Sequence, residues 1–159
     1  MKKLLLIRHA KATHESGFVD FERPLTDKGF RQAELIAARL QANSIQPQIL
    51  VASPALRTLS TANVFIQVLG LQQAITDKAI YDASESALLK VIDGLPNDKD
   101  FIALVGHNPG ISQVLYYLSG AIREMPPCSV ALIEFEPDTW TEIYEATGKL
   151  SFYDTPGSL

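Results

Sequence analysis

A single cysteine, Cys128, stands among the 159 residues, so the chain can neither close an internal disulfide nor build a thiolate metal cluster. No apolar run approaches the roughly 18 residues that a membrane-crossing helix needs. The opening MKKLLLIRHA imitates a signal peptide, but its apolar stretch covers only residues 4–7 before Arg8 interrupts it, too short for the core of one. An excess of positive charge is also lacking. The 14 Lys and Arg stand against 18 Asp and Glu, a net charge of −4, which speaks against a binder of nucleic-acid backbone. Repeats, linkers and low-complexity stretches are absent from the body of the sequence. What is present is 47% hydrophobic and 20% charged residues, enough apolar material for a core. The expectation is one cytoplasmic domain over residues 1–159, with neither membrane nor nucleic acid as partner.

Short apolar runs alternate with helical patterns. Residues 3–8 (KLLLIR), 48–52 (QILVA) and 101–106 (FIALVG) are unbroken apolar runs of strand length, the pattern of strands covered on both faces. After Thr26 and Asp27, Phe30, Ala33, Ala37 and Leu40 recur at helical spacing. Ser53-Pro54 reads as a cap followed by proline at the first helical position, ahead of Ala55, Leu59, Ala62, Ile66 and Leu69. Asn108-Pro109 opens another helix. A weaker one spans 86–94, after a short strand around 75–80. Residues 130–135 and 140–146, joined by Glu136-Pro137-Asp138-Thr139, read as a hairpin. The tail 148–159 either packs on the body or frays. The class is α/β, with a mainly parallel central sheet and an antiparallel C-terminal portion.

In an open parallel sheet, ligands bind beyond the carboxyl ends of the strands. Three of the expected strands run into reactive segments there: Arg8-His9-Ala10-Lys11, Ser53-Pro54-Ala55-Leu56-Arg57-Thr58 and Gly106-His107-Asn108-Pro109. A parallel sheet brings two of the three histidines and two arginines to one edge. Taken singly, each has a bland reading. A histidine after a strand is usually a hydrogen-bonded loop residue, and an arginine in a first helical turn is usually solvated. Arg57 there even opposes the helix dipole slightly, a penalty that an anion would offset. Together, arginine forks and helix N-termini favour a phosphate-like anion. A neutral histidine can act as nucleophile toward it, and neighbouring cations keep His9 neutral by disfavouring the imidazolium. A second histidine can stabilise the charge being transferred.

The segments LIRHAKA at 6–12, SPALRTLSTA at 53–62 and VGHNPG at 105–110 resemble, in order and in placement after strands, the histidine phosphatase superfamily. The short length, Ala10-Lys11-Ala12, FERPLTDKG at 21–29 and YDAS at 81–84 are similar to its SixA-type branch, associated with removing phosphate from phosphohistidine in proteins. The resemblance runs from Leu4 to about Ile133. It implies a three-layer α/β/α, phosphoglycerate mutase-like fold with a mainly parallel central sheet, in minimal form without an inserted cap. It implies that His9 accepts the phosphoryl group, that Arg8, Arg57 and His107 surround it, and that Arg23 adds positive charge near the entrance. The implied partner is a phosphorylated protein or a small phosphorylated substrate. Ala10 stands where many larger members have glycine, which leaves less freedom for unusual backbone geometry.

The larger relatives use Glu or Asp to protonate the leaving oxygen. Here Glu85, Asp82 and Asp20 are the candidates, with Glu85 ranked first, although an acidic residue at a helix start is favourable on its own account. No metal or other cofactor is expected: arginines flank both histidines, and no HExxH or carboxylate cluster accompanies them. His14 beside Glu15 reads as a solvated loop pair. Two alternatives stay beside the phosphohistidine phosphatase reading. One is a phosphatase or mutase acting on small phosphate esters; the other is a phosphate-binding module without turnover.

Overall fold

Leu4, Leu5, Leu6 and Ile7 of β1 (Lys2–Arg8) are all fully buried, which only a strand covered on both faces allows. The computed structural model describes residues 1–157. Its order is β1, α1 (Asp27–Ala42), β2 (Ile49–Ala52), α2 (Leu56–Leu69), β3 (Ile75–Thr76), α3 (Glu85–Asp93), β4 (Phe101–Gly106), α4 (Gly110–Ser119), β5 (Val130–Phe135) and β6 (Gly148–Asp154). One sheet holds the strands in the order β3-β2-β4-β1-β5-β6. The first four are parallel; β5 and β6 run antiparallel. Alternate residues of the central strands feed two cores. Leu5, Ile7 and Val105 pack with Ile36 and Leu40 of α1 and Phe65 of α2. Leu4, Leu6 and Leu104 pack with Leu88 and Ile92 of α3 and Val114 and Leu118 of α4. Each such side chain contributes roughly 1.5–3 kcal/mol through removal of apolar surface from water. The layers are helix, sheet, helix, as the alternation of patterns implies. Among the described residues, no helix is long and apolar enough to cross a membrane.

Three local expectations fail, each for a physical reason. α2 begins at Leu56 rather than at Pro54, with Ala55 at its cap position and no side-chain cap, because the Ser53 hydroxyl reaches only the Ala55 N–H ahead of the helix and lies against His107. The strand around 75–80 shrinks to Ile75–Thr76, followed by a 3₁₀ turn at Lys78–Ile80 whose side-chain cap is Asp77. The strand pairing with β5 is β6, not 140–146. Trp140 is fully buried in a 3₁₀ turn, where its indole N–H donates to the Pro96 and Lys99 carbonyls, so the chain returns only after it. Gly148 then lies so close to β5 that a Cβ there would collide with Ile133 and Phe135. The tail therefore contributes a strand as far as Asp154, and residues 158–159 lie outside the described residues.

The strand order decides where the reactive segments fall. β4 lies between β2 and β1, with Arg8 opposite Gly106 and Ala52 opposite Val105. The chain beyond all three carboxyl ends therefore emerges side by side.

Candidate active site

His9 follows directly on β1 and is only 8% exposed. Its backbone is pinned on both sides: its N–H donates to the Gly106 carbonyl, and its carbonyl accepts from the Cys128 N–H. The ring Nδ1 lies 2.8 Å from the Ala10 carbonyl. A carbonyl only accepts, so the proton sits on Nδ1 and the Nε2 lone pair is left free. The next N–H, of Ala10, donates to Thr61 Oγ1 at 2.9 Å, and Thr61 in turn donates to the Arg57 carbonyl. Ala10 adopts no positive φ, so this turn does not need the glycine of larger relatives.

Arg57, in the first turn of α2, is 5% exposed. Its Nη1 donates to the Asp20 carbonyl at 2.7 Å, and its Nη2 to Asp20 Oδ2 at 3.1 Å. Nη2 also lies 3.3 Å from His107 Nδ1. A guanidinium cannot accept, so neutral His107 carries its proton on Nε2 and donates it to Ser53 Oγ at 2.9 Å. The two histidine rings stand 5.4 Å apart. Arg8 donates from Nη1 to the Met125 carbonyl. Among the described residues, the buried side-chain nitrogens and oxygens without a hydrogen-bond partner are Arg8 Nε and Arg57 Nε. A buried donor on a charged group left unmet costs about 1–3 kcal/mol or more. Both belong to residues lining one open cavity of about 570 Å³, together with His9 and His107. One cavity is thus lined by a histidine with a free ring nitrogen and by two arginines, whose guanidinium groups suit the oxygens of a tetrahedral anion.

Electrostatics keep both rings uncharged. Burial, reinforced by His107, Arg57 and Arg8, lowers the His9 pKa to about 3 against the opposing Ala10 hydrogen bond. Burial and then Arg57 lower that of His107 to about 4, against the pull of Asp82 and Asp20. Below pH 6.5 the unfolded chain therefore binds protons that the folded chain refuses. The stability these rings confer is complete above pH 6.5 and declines as pH falls from 6.5 toward 4, by up to about 1.4 kcal/mol per pH unit for each ring. Asp20, held at about 2 first by the Tyr81 hydrogen bond and then by Arg57 and Arg23, adds a loss in the same direction at still lower pH. Urea unfolding is expected to show a steeper pH slope for the wild type than for His9→Asn, by about a quarter of a proton at pH 7 rising to about one at pH 5. Equal slopes would contradict the burial of a neutral His9.

The structure brings Arg8, His9, Arg23, Arg57 and His107 to this one cavity. Arg23 is fixed at the rim, donating from Nε to Asp20 Oδ1 at 3.1 Å and from Nη1 to the Thr13 carbonyl at 2.9 Å. The carboxylates need correction. Glu85 opens α3, capped by Ser84, and faces other concavities beside Ser112, Tyr116 and Tyr117; it does not line the His9 cavity. Asp82 does line it. The chain turns at Asp82 through a φ of 49°, which leaves that carboxylate at the cavity while α3 carries Glu85 away. Asp20 is ionised and committed to three donors, so it acts as a holder of arginine rather than as an acid. His14 lies at the same rim with its Nδ1 3.4 Å from Arg23 Nη1, rather than pairing with Glu15. Ser53, Thr61 and Tyr81 escaped the sequence reading. For Thr61 a signal existed: it lies four residues after Arg57, on the same helical face. Gly29 marks the outer wall, where a Cβ would collide with the Lys11 carbonyl. α1 therefore rests directly on the loop that carries Lys11 into the cavity lining.

The chain is similar to known proteins over most of its length. Residues 4–84, just over half of the chain, match the family model described as Histidine phosphatase superfamily (branch 1). An uncharacterised chloroplastic protein of Arabidopsis thaliana is 28% identical over 158 residues, covering 92% of this chain and 72% of that protein. Among solved structures, one from Agrobacterium tumefaciens, provisionally assigned as the phosphohistidine phosphatase SixA, superposes with a TM-score of 0.83 at 24% identity, covering 98% of this chain and 99% of that one. The protein histidine phosphatase SixA complexed with tungstate gives a TM-score of 0.83 at 18% identity, covering 97% of each chain. At these identities the structures establish the shared fold.

Proposed function

Because the chain belongs to the histidine phosphatase superfamily, branch 1, we propose that it is a metal-independent phosphatase that passes a phosphoryl group through His9 and acts on phosphohistidine carried by a protein. The observation that carries this reading is a His9 with a free Nε2 sharing one cavity with Arg8 and Arg57, whose buried Nε–H groups have no partner. His9 Nε2 attacks phosphorus. The bond from phosphorus to the leaving nitrogen breaks, and its electron pair stays with the departing imidazole. Water then attacks phospho-His9, the phosphorus–Nε2 bond breaks, and inorganic phosphate leaves with His9 restored. Arg8 and Arg57 meet the phosphoryl oxygens, and His107, lining the same cavity, holds the Arg57 guanidinium through its Nδ1. Arg23, at the rim, adds positive charge to the approach.

The choice of phosphohistidine over esters rests on the proton donor and on access. A phosphoimidazole protonated on its second nitrogen departs as neutral imidazole, whereas an alkyl phosphate needs a placed acid. Among the described residues, the carboxylate lining the cavity that is not committed to arginine is Asp82, and it is exposed. The cavity itself is open, which suits a phosphoryl group borne by a bulky carrier. In a chelating buffer, kcat/KM is expected to be higher on a phosphohistidine protein than on alkyl phosphates. Asp82→Asn should lower ester turnover more than phosphohistidine turnover, and Glu85→Gln should change neither. Faster turnover of esters by the wild type would favour a small-molecule phosphatase, and absence of turnover on both would favour a binding module.

A further inference from the structure

Tyr81 lies where Asp20, Arg57 and His107 meet. Its ring stands edge-on to His107, with centroids 5.6 Å apart at 80°, and edge-on to Phe21 at 5.1 Å. The Arg57 guanidinium lies 6.0 Å from its centroid. Its hydroxyl donates to Asp20 Oδ2 at 2.5 Å, the same oxygen that accepts from Arg57 Nη2. Asp20 is the weak member of this chain of contacts. Its side chain is 54% exposed while that of Arg57 is 6% exposed, and it sits on a three-residue 3₁₀ turn with no buried residue. An exposed carboxylate facing arginine in water adds little on its own and is costly to hold still. A phenol donating to a carboxylate is a short, charge-assisted bond, and here it comes from a ring wedged between Phe21 and His107.

We infer that Tyr81 is a positioning residue: through Asp20 it fixes both Nη groups of Arg57, leaving Nε as the donor for the phosphoryl oxygens, and its ring braces His107 directly. This rests on the reading that the cavity binds a phosphoryl group. Arg57 in the first turn of α2 opposes the helix dipole, and Asp20 holds its fork through two contacts, at 2.7 and 3.1 Å, against one longer contact of 3.3 Å to His107 Nδ1. Tyr81 does not touch the reacting atoms; it acts through Asp20 and His107.

The test uses steady-state turnover of p-nitrophenyl phosphate and its inhibition by orthovanadate. Tyr81→Phe keeps the ring and loses the hydroxyl. It should raise KM and the orthovanadate inhibition constant by about fivefold, the order expected for loosening one charge-assisted contact, with kcat within about twofold and the unfolding midpoint unchanged. In an Asp20→Asn background the same substitution should have no further effect. Tyr81→Leu, which also removes the brace on His107, should lower kcat as well. An unchanged inhibition constant in Tyr81→Phe, or penalties that simply add in the double variant, would overturn the inference. Arg57→Ala separates the two levels. If it raises the inhibition constant while Tyr81→Phe does not, only the positioning role fails. If it changes nothing, the phosphoryl-binding reading fails and this inference with it.

Discussion

His9→Asn is expected to lower kcat/KM by at least about 10⁴-fold on any phosphorylated substrate, in line with the loss of a covalent nucleophile elsewhere. The fold should survive. His9 lies at the end of β1, outside both apolar cores, and what it contributes to its surroundings is one ring hydrogen bond to the adjacent Ala10 carbonyl. Below pH 6.5 the variant should lose less stability than the wild type, because an uncharged ring no longer has to be kept from its proton. Activity falling with stability intact separates a nucleophile from a packing residue. Turnover within tenfold of wild type would remove His9 from the reaction.

Arg57→Ala is the second large effect. The side chain meets Asp20 through two nitrogens, lies against His107 Nδ1, and keeps a buried Nε–H without a partner. Removing it deletes the donor offered to the anion and leaves Asp20 without its inner partner. Loss of one charge-assisted contact costs about 1.5–3 kcal/mol, roughly 10- to 150-fold in binding. Inhibition by phosphate or orthovanadate should weaken by at least that factor. Arg57→Lys should recover little of it, because a point charge cannot reproduce a fork that serves Asp20 and the anion together. The substitution also withdraws one of the charges that hold His107 low, so the pH at which His107 charges should rise. Unchanged inhibition would place Arg57 outside the site.

The parts of the molecule legible in the sequence are those governed by burial and by strand direction. Residues 3–8, 48–52 and 101–106 announced themselves because a strand covered on both faces has no place for polar alternation. Once these strands are parallel and adjacent, Arg8-His9, Arg57 and His107 must share an edge, and they do. What escaped depends on choices a linear pattern does not encode. Ser53 looks like a helix cap, and only the tertiary position of His107 shows that its hydroxyl also meets a ring nitrogen. Glu85 and Asp82 are three residues apart. A left-handed turn at Asp82 sends one to α3 and keeps the other at the cavity. Residues 140–146, after the turn at 136–139, have the pattern of a second hairpin strand, but burying the Trp140 indole against the Pro96 and Lys99 carbonyls takes the chain out of the sheet. The network of Asp20, Tyr81 and Arg57 joins residues 37 and 61 positions apart, beyond the reach of any local signal.

The central claim is that the phosphoryl group passes through Nε2 of His9. It is tested most directly by quenching the enzyme in alkali during turnover and locating the label by mass spectrometry and by ³¹P–¹⁵N correlation. The expected result is one phosphoryl group on His9, bonded to Nε2, because Nδ1 is engaged with the Ala10 carbonyl. A phosphoryl group on His107, on His14 or on Nδ1 of His9, or turnover with no phosphorylated enzyme at any time, would contradict it.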